Sequence, residues 1–230
     1  SHRSPIRRAA MMTTLLPKLN SDLGELADRV RRSLVHVSVG RRGSGSGVVF
    51  TSDGLVVTNA HVVSGGRDRN SQTSEFQVTM PGGTTVKAVL LAKDDGIDVA
   101  VLKIETPGDK TLEIFPIDMG DSRSLRAGQW VMAMGHPGGV AGAAVAGIVI
   151  GAGPDLPEAP GSGRDWVAVD LALRPGHSGG PLVDHHGRLI GISTIMAGLD
   201  VGMAVPAHVI EEFVAKVVAG DFGGGGDSVL

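Results

Sequence analysis

The stretch Val48-Val49-Phe50-Thr51-Ser52-Asp53-Gly54-Leu55-Val56-Val57 places two apolar, β-branched runs on either side of a Thr-Ser-Asp-Gly link. Asp and Gly accept the backbone angles of a tight reversal, so these residues read as a β-hairpin. Upstream, Val35, Val37 and Val39 alternate with His36 and Ser38, the period of a half-buried strand. Downstream, Phe76–Met80, Val86–Leu91 and Asp98–Ile104 bring the first set to six strands. A polar segment with Pro and Gly, Thr106–Thr111, then suits a crossing between two units. Trp130–Met134, Ala144–Ile150, Trp166–Val169, Pro181–Val183, Leu189–Ile195 and Val201–Val205 form a second set of six, with Gly151–Arg164 expected as an exposed loop. Alternating β and α segments are largely absent, which disfavours a parallel βαβ sheet. The pattern predicts an all-β double six-stranded β-barrel.

Helical signals are confined to the two ends. Residues 1–20, with Arg3, Arg7, Arg8 and Lys18 among small residues and prolines, read as a flexible leader or flank. A helix is expected to begin at Ser21, with Leu23, Leu26 and Val30 on one stripe. At the other end Pro206 suits a first helical turn, and Val209, Ile210, Phe213, Val214, Val217 and Val218 recur as one apolar face of a docking helix that Gly220 ends. The expected divisions are a first half over 21–108, a second half with the terminal helix over 109–220, and a flexible Gly-rich tail over 221–230.

Composition narrows the function classes. The chain has 230 residues and a net charge of −3, so there is no basic footprint for nucleic acid. Thirty-five glycines sit among a 42% hydrophobic complement and punctuate apolar segments, which argues against collagen and wholesale disorder. With no cysteine, a disulfide scaffold, a cysteine nucleophile and a thiolate-ligated metal are excluded. No uninterrupted apolar run is long enough to suggest a membrane span.

Three segments carry candidate chemistry. In Arg174-Pro175-Gly176-His177-Ser178-Gly179-Gly180-Pro181, small residues flank Ser178, expose its oxygen and leave room for a carbonyl to approach two main-chain amides. By composition alone the same stretch reads as a surface turn. His61, in Thr58-Asn59-Ala60-His61-Val62-Val63, follows a strand and is anchored by apolar neighbours, as a general base must be, although a structural histidine has the same signature. In Asp94-Asp95-Gly96-Ile97-Asp98-Val99 the first two acids suit a turn. Asp98 opens an apolar strand, where a carboxylate is costly unless it holds a partner such as an imidazole nitrogen. His185-His186-Gly187 after Asp184 reads as an exposed turn, and no HExxH pattern occurs. No metal or other cofactor is called for.

Taken together, these segments resemble the protease domain of the HtrA/Deg family, within the chymotrypsin-like serine peptidases. The resemblance rests on Gly45-Ser46-Gly47-Val48-Val49, Thr58-Asn59-Ala60-His61-Val62-Val63, Asp98-Val99-Ala100-Val101-Leu102-Lys103 and Gly176-His177-Ser178-Gly179-Gly180-Pro181-Leu182. Weaker stretches, Gly120-Asp121-Ser122, Leu125-Arg126-Ala127-Gly128, Gly135-His136-Pro137 and Gly147-Ile148-Val149, follow in the required order. The similarity covers roughly residues 22–219 and implies a chymotrypsin-like fold. It also implies His61 as base and then acid, Asp98 as its orienting carboxylate, Ser178 as nucleophile, and the Gly176 and Ser178 amides as the oxyanion hole.

The same resemblance implies an ATP-independent endopeptidase of unfolded or flexible proteins in protein quality control, favoured as extracytoplasmic and bacterial, with a homotrimer and a following PDZ domain as its associations. Ala172, Leu173, His177, Ile192, Ser193 and Thr194 are expected to shape substrate binding. Ala172 stands where an acid would favour Lys or Arg, so an aliphatic residue before the cut is expected. The family commonly has Asn where this chain has His136 and His177; His177 is expected to turn its side chain away from Ser178. A noncatalytic peptide-binding or assembly module is the alternative function.

Overall fold

The computed structural model describes residues 5–40, 43–64, 76–106, 112–157, 159, 162–194 and 201–221. Two closed antiparallel barrels of six strands each make up the body. In the first, β1 (Leu34–Val39), β2 (Gly43–Val49), β3 (Leu55–Thr58), β4 (Phe76–Thr79), β5 (Thr85–Asp94) and β6 (Val99–Ile104) close in the order β1-β2-β3-β6-β5-β4. In the second, β7 (Trp130–Gly135), β8 (Ala143–Gly153), β9 (Trp166–Asp170), β10 (Pro181–Val183), β11 (Leu189–Thr194) and β12 (Gly202–Pro206) close as β10-β11-β12-β9-β8-β7. The expected double six-stranded barrel is the observed fold, and closure leaves neither sheet with an unpaired edge.

Each barrel has its own interior. Val35, Val37, Val56, Val78 and Leu102 fill the first, and Val131, Val149, Val167, Leu182 and Ile190 the second. A third cluster fills the seam between them, where Val57, Val99 and Val101 meet Met134, Trp166 and Ile192, and both helices dock there. The core residues of α3 (Ala207–Ala219), Ile210, Phe213 and Val214, lie on one face, and Gly220 ends the helix with a φ of 75°. Val218, expected on that face, is 69% exposed: it lies one residue beyond the Val217 row. Pro206 closes β12 and caps α3, one step before the first turn.

Three local expectations are corrected. The first helix, α1, runs from Pro5 to Arg31 with Pro17 inside it, so much of the stretch read as leader is helical. Ser21 therefore does not cap a helix start; its Oγ meets Glu25 Oε1 one turn on at 3.5 Å. Leu26 and Val30 are the buried stripe, set against Gly187 of the β10–β11 hairpin, where a Cβ would stand 3.2 Å from Leu26. Strand β2 reaches back through the Gly43–Gly47 run, because Gly47 faces Val35, Val37 and Val56 with no room for a side chain. Strand β8 extends to Gly153, three residues into the expected loop. Most of the Thr106–Thr111 crossing, Ile195 and the Gly223–Gly226 tail lie outside the described residues.

Candidate active site

Strand β3 delivers its last residue to the seam and passes at once into a short helix, α2 (Ala60–Ser64). His61 thus sits on a helical turn and not at the strand's end. Ala60, Val62 and Val63 are buried and fix the turn, while the His61 side chain is about half exposed. Asp98 lies in the turn before β6 with a φ of 57°, a left-handed conformation that Asp tolerates better than most residues. The turn is shaped by Asp94, whose Oδ1 accepts the amides of Gly96 and Ile97, and Asn59 Nδ2 donates to the Asp98 carbonyl at 2.9 Å. Strain at such a position persists only where its surroundings hold it.

The held carboxylate is well used. Asp98 Oδ1 accepts the His61 amide at 3.0 Å, and His61 Nδ1 lies 2.9 Å from Oδ2. Thr194 Oγ1, from the second barrel, donates to Oδ2 at 2.9 Å. Burial pushes the Asp98 carboxyl up, but the bonds from His61 and Thr194 outweigh it and hold the group below the ordinary carboxylate range. With Nδ1 donating to Asp98, a neutral imidazole keeps Nε2 as an acceptor and base. His61, Asp98, Thr194, Arg164 and Trp166 border an open groove of about 540 Å³.

Ser178 reaches the same seam from the other barrel, where it is buried at 6% exposure and not exposed as its small neighbours predict. Its amide neighbour Ser46, on β2, donates its N–H to the Ser178 carbonyl at 2.8 Å. Gly45 lies between the two sides: a Cβ there would stand 2.8 Å from Val62 Cγ2 and 3.0 Å from the Ser178 oxygen. Gly179 is equally confined, since its Cβ would fall 2.0 Å from Ser46 O and 2.2 Å from Thr58 Oγ1. The His61 turn and the Ser178 turn are therefore packed against one strand, although among the described residues no hydrogen bond joins Ser178 Oγ to His61. Catalytic hydrogen bonds are often loose before substrate binds.

Ahead of Ser178, Arg174 O accepts the His177 amide at 2.9 Å across Pro175 and Gly176. Pro at the second position and Gly with a φ of 103° at the third are the signature of a type II turn. Neither the Gly176 nor the Ser178 amide donates to a protein acceptor among the described residues, so both remain available to an oxygen placed between them.

The remaining expected site residues divide. Ala172 is exposed and Leu173 half-buried, next to the turn. The His177 side chain is 1% exposed; its Nδ1 accepts the Arg174 amide at 3.1 Å, so it braces the turn from within and does not line a groove. Ile192 and Ser193 are buried in β11, and the Thr194 hydroxyl is committed to Asp98. His185 and His186 occupy a hairpin tip held by Asp184, which accepts the His186 and Arg188 amides.

A second Ser-His-Asp chain was missed in the sequence. Ser122 Oγ lies 2.8 Å from His208 Nδ1, and His208 Nε2 lies 3.1 Å from Asp165 Oδ2. Ser122 Oγ also accepts the His208 amide at 3.0 Å, at the first turn of α3. Nothing local announces it, because the three residues come from a 3-10 turn, a loop and a helix far apart in sequence.

The trypsin-like peptidase domain family matches residues 45–192, which takes in His61, Asp98 and Ser178 in order and stops short of His208. The chain is 38% identical to the "Probable periplasmic serine endoprotease DegP-like" of Rhizobium meliloti over 77% of its own length and 34% of that protein's. This chain belongs to the HtrA/Deg family of chymotrypsin-like serine peptidase domains. The HtrA/Deg domain is also 37% identical to "Protease Do-like 1, chloroplastic" of Arabidopsis thaliana over 77% of this chain and 40% of that one. The solved HtrA-type protease AlgW, in a variant form with a tripeptide, superposes with a TM-score of 0.71 at 27% identity, covering 84% of this chain and 62% of that one. The HtrA/Deg domain described here spans about a third of the length of its bacterial relatives.

Proposed function

We propose that this domain hydrolyses peptide bonds as an ATP-independent serine endopeptidase, with His61, Asp98 and Ser178 as its catalytic residues. The observation that carries the reading is the Asp98 carboxylate bonded to both the ring and the amide of His61, on a turn that packs with the Gly-flanked Ser178 turn against β2. Ser178 Oγ attacks the scissile carbonyl carbon as its proton passes to His61 Nε2, and the oxygen that gains the electron pair meets the Gly176 and Ser178 amides. Collapse breaks the C–N bond, with His61 returning the proton to the leaving amine. Water then releases the acyl group by the same steps.

Unfolded or flexible proteins are the proposed substrates, with Val, Ile, Leu or Ala before the cut, because Ala172 brings no charge to the substrate pocket. Protein quality control outside the bacterial cytoplasm, in a homotrimer and with a PDZ domain in the longer protein, is the proposed setting. The names of the periplasmic relatives support the compartment. No helix of the described residues is long and apolar enough to cross a membrane.

The Ser122-His208-Asp165 chain offers a second reading of the nucleophile. Its serine accepts a helix amide and has no glycine on either side, which suits a lock between α3 and the second barrel. Hydrolysis of a peptide library and labelling by a serine-directed phosphonate, run on wild type, Ser178→Ala, His61→Ala and Ser122→Ala, decide between them. Loss of cleavage and label in Ser178→Ala with both retained in Ser122→Ala is the expected result. Cleavage unchanged in Ser178→Ala sinks the assignment, and a Lys or Arg optimum sinks the aliphatic preference.

A further inference from the structure

The Gly135-His136-Pro137 and Gly45-Ser46-Gly47 segments carry no group that the hydrolytic scheme uses, yet both close on the turn that presents Ser178. Ser46 is 0% exposed, and three of its atoms are committed. Its amide donates to Ser178 O at 2.8 Å, its carbonyl accepts Thr58 Oγ1 at 2.7 Å, and its hydroxyl donates to Gly176 O at 2.8 Å. The His136 amide donates both to Gly176 O and to Ser46 Oγ, each at 3.0 Å. A hydroxyl has one proton. With that proton on Gly176 O, His136 Nδ1, 3.0 Å from Ser46 Oγ, meets it as a donor.

Glycine is required on the facing wall for this arrangement. A Cβ on Gly135 would stand 2.7 Å from Gly176 O and 3.1 Å from Ser46 Oγ, and one on Gly176 would stand 2.5 Å from His136 O. The Gly176–His177 peptide is thus clamped between β2 of the first barrel and the end of β7 of the second. Its carbonyl has two donors, while the amide of Gly176 on the other side of the same residue has no partner among the described residues.

We infer that Ser46 is a positioning residue for the oxyanion-binding turn: from the first barrel its hydroxyl holds Gly176 O, and its amide holds Ser178 O, so that the Gly176 and Ser178 N–H groups converge on the developing oxyanion. The clamp fixes the Gly176–His177 and Ser178–Gly179 peptide planes, one next to each of the two amides. A free turn can exchange a left-handed Gly176 for the ordinary type I geometry and turn the Pro175–Gly176 peptide over; a turn held at Gly176 O resists that exchange. This rests on Ser178 being the nucleophile. It adds a requirement for the hole that the triad alone does not contain.

The test is Ser46→Ala in the full chain, with kcat normalised to active sites titrated by a serine-directed phosphonate, so that loss of folded protein does not count as loss of rate. Removing the hydroxyl is expected to lower kcat about tenfold to a hundredfold, less than the roughly 10²–10³-fold lost when an oxyanion donor itself is removed. KM is expected to hold, and affinity for a peptide aldehyde, whose adduct oxygen needs the same two amides, is expected to fall in parallel with kcat. Unchanged kcat per titrated site and unchanged aldehyde affinity overturn the inference, as does a loss confined to KM. If Ser46→Ala does not fold, Ser46→Cys keeps the shape with a weaker donor and is read by the same criteria. A wild-type enzyme that cleaves as well after Ser178→Ala overturns the nucleophile and this inference together; wild-type activity lost in Ser178→Ala but untouched at Ser46 overturns the inference alone.

Discussion

The hydroxyl of Thr194 donates to the carboxylate of Asp98 at 2.9 Å, and the two residues belong to different barrels. The carboxylate that orients His61 is therefore oriented in turn from across the seam. Thr194→Val keeps the β-branched shape and removes the donor. A hydrogen bond to a charged group is worth about 1.5–3 kcal/mol, so kcat is expected to fall about tenfold or more while KM changes little. Steady-state kinetics on one aliphatic peptide check this, and a wild-type kcat in the variant refutes it.

Asp98 combines a charge with a left-handed backbone, and two substitutions separate the two. Asp98→Asn accepts the same φ of 57° but offers no carboxylate to the imidazole. Its thermal midpoint is expected to stay near wild type, with kcat down by about 10³–10⁴. Asp98→Val loses the charge and strains the turn as well, so it is expected to be less stable than Asp98→Asn by about 1–3 kcal/mol. Equal midpoints for the two variants would remove backbone strain from the account.

Acid sensitivity should trace to histidines that are buried neutral. Burial, with nearby His36 adding to it, lowers His136 from 6.5 to about 4. Between those values the unfolded chain binds a proton at this position that the folded chain refuses, so stability declines as pH falls from about 6.5 towards 4. His36 and His177 are lowered by burial in the same direction and contribute with the same sign. In His136→Asn, urea midpoints measured across this window are expected to fall less steeply than in wild type. A slope as steep as wild type would assign the effect elsewhere.

The helix α3 is expected to be part of the cooperative core. Ile210 is 0% exposed in the seam cluster, and Ile210→Ala is expected to cost about 2–5 kcal/mol in urea unfolding. Val218→Ala, on the exposed side, is expected to lie within about 0.5 kcal/mol of wild type. Similar losses at both positions would contradict the packing.

Alternation and turn chemistry made the barrels legible: Val35, Val37 and Val39 all point inward, and Thr51–Gly54 does join β2 to β3. Glycine hid what came before. Gly45 and Gly47 look like loop residues, yet they lie in a strand whose neighbours leave no space there for side chains. Long-range contacts hid the rest. His61, Asp98 and Ser178 each sit in a local motif; the Ser46 clamp, the Thr194 bond and the Ser122-His208-Asp165 chain depend on pairings that no window of sequence contains. Pro17 concealed the length of α1, since a proline reads as a break and here lies within a continuous helix.

The confined glycine pair at the seam, Gly45 and Gly179, has a bearing on the order of events at birth. During synthesis His61 and Asp98 emerge before Ser178, so in the proposed scheme the pair is made with nothing yet to activate. The Ser178 turn reaches its place only when Gly179 packs against Ser46 O and Thr58 Oγ1, with no side chain in the way. If Ser178 is the nucleophile we propose, an incompletely folded copy is thus unarmed towards its siblings, and the hydrolytic power of a population cannot exceed the fraction of its chains that have finished folding.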